Sequence, residues 1–146
     1  GLNVKLSYKN WDFGFNGHGS LGYMVFNDFA SNHSTSYFDV NAGNLPNFAT
    51  AVKRTGFTQI SGDYQYFSDF YLENASFFRL DDINLGYTFK DINEKGANIR
   101  VAASCQNVFV LTNYTGIDPE INSTDGVDRT FWPRPRTFSV RLNVNF

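Results

Sequence analysis

From Thr137 to Phe146 the chain reads TFSVRLNVNF, alternating at every step. Successive side chains of an extended chain point to opposite faces, so Phe138, Val140, Leu142, Val144 and Phe146 fall on one face and Thr137, Ser139, Arg141, Asn143 and Asn145 on the other. A helix, with its period of about 3.6, would scatter the same apolar residues around its whole circumference. The segment is therefore a strand with one apolar and one polar face, and the class of protein depends on what covers the apolar one. Two readings compete: a soluble sandwich, or a wall strand of a membrane barrel.

The same period recurs along the chain. LNVKLSY places Leu2, Val4, Leu6 and Tyr8 against Asn3, Lys5 and Ser7, and after Lys9 and Asn10 the pattern resumes with Trp11, Phe13 and Phe15, which predicts a hairpin. Later, Ile83, Leu85, Tyr87 and Phe89 share a face, whereas Phe78 and Leu80 have the opposite parity; a bulge near Asp81 and Asp82 reconciles them. Ile99, Val101, Ala103 and Cys105 then face away from Arg100, Ala102, Ser104 and Gln106. The predicted strands cover about 1–9, 11–26, 76–90, 97–111 and 136–146, giving an all-β, antiparallel chain.

The connections carry as much information as the strands. Two are short, the Lys9–Asn10 turn and DINEKGA; two are long, about 27–75 and 112–135. Short and long connections alternate, so the short ones lie on one side of the sheet and the long ones on the other. Outer-membrane barrels are built this way, with short periplasmic turns and long extracellular loops. Structureless loops of that length are uncommon in compact soluble domains, although Pro46 to Arg54, followed by Gly56, has the pattern of one short helix.

Composition agrees. Aromatic residues make up 18% of the chain, with 16 Phe and 8 Tyr, yet only 42% is hydrophobic, as strands with alternating faces require. No run reaches the roughly 18 apolar residues of a membrane-spanning helix, which leaves barrel strands of about 9–11 residues open. Net charge is −2 with no basic cluster, so nucleic acid is not an expected partner. The single cysteine, Cys105, forms no internal disulfide, and His18 and His33 lack ligand-spaced partners, so no metal, cofactor or catalytic constellation is expected. Asp81 and Asp82 point to opposite faces of an extended chain, which spoils them as an acid/base pair.

YLENASFFRLDDINLGYTF, CQNVFVLTNYTGIDPEI and PRPRTFSVRLNVNF, taken in that order, resemble the C-terminal end of SusC/RagA-type TonB-linked outer-membrane transporters. The resemblance runs from about Tyr71 to Phe146, around half of the chain. It implies a transmembrane β-barrel of 22 strands in the cell outer membrane, of which this chain would be the last five, with no enzymatic activity. It further implies uptake of oligosaccharides or peptides, a SusD-like surface lipoprotein as lid, TonB engaged through a segment outside this chain, and the outer-membrane insertion machinery reading Phe146 as an assembly signal. A siderophore receptor or porin-like barrel, and a soluble carbohydrate-binding β-sandwich, are the alternative readings.

For a barrel wall, Arg100, Gln106, Arg141 and Asn143 are expected to face the lumen, because a cation near mid-bilayer costs roughly 2–4 kcal/mol. In the second long loop Tyr114, Phe131 and Trp132 are candidate stacking faces for cargo or lid, with Arg129 as a hydrogen-bonding neighbour; the competing role is anchorage at the rim. Tyr64, Tyr66, Phe67, Phe70 and Tyr71 in the first long loop pose the same choice.

Overall fold

A computed structural model of the chain describes residues 1–33, 68–92, 96–121, 123–129 and 132–145. The expected helix over Pro46 to Arg54, and Tyr64, Tyr66, Phe67, Phe131 and Phe146, lie outside the described residues. The chain divides into two compact units, one made of residues 1–21, 77–112 and 134–146, the other of residues 22–76 and 113–133.

The first unit is an antiparallel sheet of β1 (Leu2–Tyr8), β2 (Trp11–Ser20), β5 (Phe77–Phe89), β6 (Asn98–Thr112) and β8 (Thr137–Asn145), in the spatial order β1-β2-β5-β6-β8. Its register carries the alternating pattern across all five strands. Tyr8 pairs with Trp11, Trp11 with Tyr87, Tyr87 with Val101 and Val101 with Leu142. The next row on the same face runs Leu6, Phe13, Leu85, Ala103, Val140, and the one after it Val4, Phe15, Ile83, Cys105, Phe138. The alternate rows form the other face: Ser7, Asp12, Gly86, Ala102, Arg141, and then Lys5, Gly14, Asn84, Ser104, Ser139. One face is therefore continuously apolar and the other predominantly polar. The sheet is open, with β1 and β8 at its edges.

The bulge sits where the parity change required it. Against β2, the pairing steps from Asn16–Asp82 to Gly17–Leu80, leaving Asp81 as an extra residue on β5. Against β6, Asp81 alone faces Asn107 and Val108, between the Leu80–Phe109 and Asp82–Gln106 pairs. Asn107 takes the left-handed conformation there (φ 52), which an asparagine side chain tolerates better than most. Phe78 and Leu80 consequently rejoin the apolar face, opposite Gly19 and Gly17.

The predicted strand over 11–26 is divided. β2 ends at Ser20, and Gly22 turns the chain with a φ of 76 that an L side chain adopts only under strain. Beyond it, β3 (Met24–Asn27) belongs to the second unit, paired antiparallel with β4 (Leu72–Asn74) and parallel with β7 (Val127–Asp128). A short helix, α1 (Asp28–His33), follows β3 directly; the Asn27 side chain caps it by accepting the Ala30 N–H at 2.9 Å. The core of this unit holds Val25, Ala75 and Tyr114, with Tyr23 and Ile121 packed against them.

Candidate functional site

On the polar face of the sheet, Arg100 and Asp12 meet although a whole strand separates them. Arg100 Nε donates to Asp12 Oδ1 at 3.0 Å, and its Nη2 donates to Oδ2 of the same carboxylate. The pair lies across β5 at Gly86, where the first side-chain carbon of any other residue would stand 2.5 Å from both Arg100 Nη2 and Asp12 Oδ1. Gly86 is thus the opening through which two charges reach each other, the kind of close approach that a glycine inside a strand permits. One residue pair along, Asn143 is opposite Arg100, Arg141 is opposite Ala102, and Gln106 is opposite Asp82 and Thr137. The four residues expected to face a lumen share one face of the sheet. A concavity of about 410 Å³ opens over Gly14 on β2, with Lys5, Asp12, Asn16, Asp82 and Asn84 among its walls.

A second polar cluster forms at the bulge. His18 Nδ1 lies 2.7 Å from Asp81 Oδ2, so the bulged residue is held by the neighbouring strand. Asn107 accepts from Arg79 Nη1 at 2.8 Å and donates to the Arg134 carbonyl at 2.6 Å, tying β5 and β6 to the approach to β8. Among the described residues no group of three or more His, Cys, Asp or Glu is arranged to hold a metal ion.

In the second unit the residues that join its segments are ones the sequence pattern passed over. The Glu73 carboxylate accepts from Asn27 Nδ2 at 3.0 Å, from the Thr115 backbone N–H at 2.9 Å and from the Thr115 hydroxyl at 2.6 Å. One side chain so connects β3, β4 and the segment after β6. Tyr23 donates its hydroxyl to the Pro119 carbonyl, and the Phe26 N–H donates to the Gly126 carbonyl at 2.9 Å. Their signal in the sequence was no more than polar residues beside short apolar stretches.

The candidate contact residues take different places. Tyr114 is only 6% exposed, and its hydroxyl donates to the buried Asp128 carboxylate at 2.7 Å. Burial, reinforced by that hydrogen bond, pushes the phenol's ionisation far above its usual range. Its ring belongs to the core of the unit. Arg129 is exposed and pairs with Asp125 at 2.8 Å, four residues earlier. Asp125 also accepts from the Ser123 hydroxyl and the Val127 N–H, and these contacts, that from Ser123 foremost, hold its carboxyl below the normal range. Trp132 is 84% exposed. Phe70 is exposed and stands edge-on to the buried Tyr71, with ring centroids 5.3 Å apart.

No family model matches the chain. Among curated proteins it is 40% identical over 153 residues to the TonB-dependent receptor SusC of Bacteroides thetaiotaomicron, which aligns with 100% of this chain and 15% of its own length. The TonB-dependent receptor P3 of Formosa agariphila is 30% identical over 166 residues, again with 100% of this chain and 16% of its own. Among solved structures, the RagAB peptide importer in the closed-closed state superposes with a TM-score of 0.68 at 22% identity, covering 96% of this chain and 16% of that one. The open-open state gives a TM-score of 0.68 at 19% identity over 99% of this chain and 16% of that one. The chain thus spans about 15% of the length of SusC, and the fold of its strands is that of the matching part of RagAB.

Proposed function

Since the chain belongs to the SusC/RagA-type TonB-dependent receptors, we propose that it forms barrel wall and surface loops in the C-terminal part of an outer-membrane nutrient importer. The cargo is an oligosaccharide or a peptide, the 22-stranded barrel is closed by strands outside this chain, and transport is energised by TonB through a segment also outside it. A SusD-like lipoprotein caps the loops from the cell surface. The apolar face of the sheet meets lipid and the polar face meets the lumen, where Arg100, Gln106, Arg141 and Asn143 belong.

The observation that carries this reading is the exposure of the apolar face. On β8, Phe138, Val140 and Leu142 are 74%, 79% and 64% exposed. In water such a surface would be a severe liability, whereas in a bilayer it is the surface lipid requires. The long strands, 13 residues in β5 and 15 in β6, exceed the roughly 9–11 that a tilted strand needs to cross the hydrocarbon. Both short connections join the strands at one end of the sheet and the two long ones leave from the opposite ends of the strands, which supports a periplasmic and an extracellular side respectively. Trp132 and Arg129, exposed on the second unit, are the proposed contacts to cargo or lid.

Adjacent cysteines on β8 test the face assignment. In outer membranes carrying the full receptor, a small charged thiol reagent is expected to label Arg141→Cys and spare Leu142→Cys. Labelling of position 142 with protection of 141 would overturn the wall reading.

A further inference from the structure

Alternation fixes the face that each side chain of β8 takes, but not where along β6 the strand stops. A shift of two residues restores every face. No tight turn holds β8 either, since residues 113–136 separate it from β6. A shift in one direction is closed by the residues themselves: it would set Arg141 opposite Arg100, and bring Pro135, which has no N–H, into the ladder opposite Gln106. A shift in the other direction meets no such obstacle. It exchanges Asn143 for Asn145 opposite Arg100, Phe138 for Val140 opposite Cys105, and Leu142 for Val144 opposite Val101, so both faces keep their chemistry.

Asn107 stands where the pairing ends. It follows Gln106, the last residue of β6 paired with β8, and its backbone is left-handed (φ 52). Its side-chain oxygen accepts from Nη1 of the buried Arg79 at 2.8 Å, which turns the amide nitrogen toward the approach to β8. That nitrogen donates to the Arg134 carbonyl at 2.6 Å and reaches the Pro135 carbonyl at 3.4 Å. Successive carbonyls of an extended strand point in opposite directions, so one donor cannot serve two neighbours there. Pro135, with φ held at about −65°, departs from the strand conformation and lets both carbonyls meet one amide. The open shift would carry Arg134 and Pro135 about 6.5 Å along β6, out of hydrogen-bond reach, and put Arg136 and Thr137 in their place, of which Thr137 belongs to the regular strand.

We infer that Asn107 sets the register of β8, as a peg between Arg79 on β5 and the bend at Arg134 and Pro135. The side chains of β8 select the face and close one direction of slip, and the peg closes the other. In the barrel wall proposed for this chain, that register also fixes the stagger with which β8 meets the strand beyond it, and a barrel of given size closes only at a matching stagger. The peg itself acts within this sheet, whatever covers the apolar face.

Disulfide trapping in the full receptor, with Cys105 as the one native thiol retained, reads the register directly. Phe138→Cys stands opposite Cys105 in the pairing described, and Val140→Cys would stand opposite it after the open shift. In oxidised and digested outer membranes, mass spectrometry of linked peptides is expected to find Cys105 bonded mainly to position 138 while Asn107 is intact. Asn107→Asp keeps an acceptor for Arg79 and replaces the donor with an oxygen that repels both carbonyls. It is expected to raise the yield at position 140 relative to that at 138 about tenfold, equivalent to about 1.4 kcal/mol. Asn107→Gly, which takes a left-handed backbone without strain and loses both contacts, should shift the ratio the same way, and serves if the charged variant reduces insertion. A ratio unchanged in the variants that insert overturns the inference. Gly86→Ala, which weakens the sheet away from the peg, should leave the ratio as in wild type; an equal shift there would trace the register to the stability of the whole sheet and overturn the role of Asn107 as well. The cysteine labelling of β8 separates the two levels: with position 142 labelled, 141 protected and the bond to position 138 still dependent on Asn107, the wall falls and the peg stands.

Discussion

Gly86 shows how far a single position constrains this sheet. Its missing side chain lets the Arg100 guanidinium and the Asp12 carboxylate meet over β5, and any larger residue must push one of them away. Gly86→Ala is therefore expected to lower barrel stability by about 1–3 kcal/mol, read as a lower temperature for the unfolding shift on gels of the purified receptor. Arg100→Ala removes one side of the obstruction and frees the Asp12 carboxylate to swing away from the other, so Gly86→Ala should cost less stability in the Arg100→Ala background than in the wild type; full additivity would refute the clash. Tyr114 makes a second case. Its ionisation is displaced upward in the folded state, by burial and then by Asp128, so its contribution to stability is complete below about pH 10 and declines as pH rises beyond that. Wild-type protein should lose protease resistance at residues 113–133 above about pH 10, and Tyr114→Phe should show less of that alkaline loss. At neutral pH the same variant should be weaker by about 1–2 kcal/mol, since Asp128 loses a donor.

Among the elements, β5 is the one whose register everything else depends on. It pairs with both β2 and β6, and Asp81 resets its parity partway so that Phe78 and Leu80 rejoin Ile83 and Leu85 on the apolar face. Because a one-residue slip moves every side chain beyond it to the other face, deleting Asp81 should transfer Phe78 and Leu80 to the polar side or force the strand to re-pair. Insertion of the deletion variant, measured as heat-shifted protein in the outer membrane, is expected to fall several-fold. Asp81→Ala keeps the count of residues and loses only the His18 contact, so it should insert nearly as wild type. Equal insertion by both variants would show that the bulge does not set the register.

At the scale of the molecule, the two long connections do not act as separate loops. β3 from the first pairs in parallel with β7 from the second, and Glu73 gathers Asn27 and Thr115 onto one carboxylate. Glu73→Ala should accordingly raise protease cleavage in residues 22–76 and in residues 113–133 together; cleavage confined to one segment would argue against a shared unit. Trp132 projects from this unit with 84% of its surface exposed. Trp132→Ala is expected to reduce cargo uptake or lid closure with wild-type amounts of inserted receptor. Uptake and affinity both unchanged would remove Trp132 from the proposed contact surface.

The alternating faces, the side of the sheet on which each connection falls and the bulge at Asp81 were all legible in the sequence, because a period of two is a local property of an extended chain. Arg100, Gln106, Arg141 and Asn143 could be assigned to one common face for the same reason. The tertiary structure decided the matters that depend on partners distant in the chain. Tyr23 and Val25 continue the parity of β2, yet Gly22 turns them into another sheet, where Val25 is buried in a core made from both long connections. Tyr114 had the chemistry of a contact residue and became a core residue once Asp128 supplied its hydroxyl with an acceptor. Asp12 and Arg100 lie 88 positions apart, and nothing local to either marks the glycine that lets them meet. Burial and pairing of this kind are set by which segments close on one another, and that information is distributed over the whole chain rather than carried by any one stretch of it.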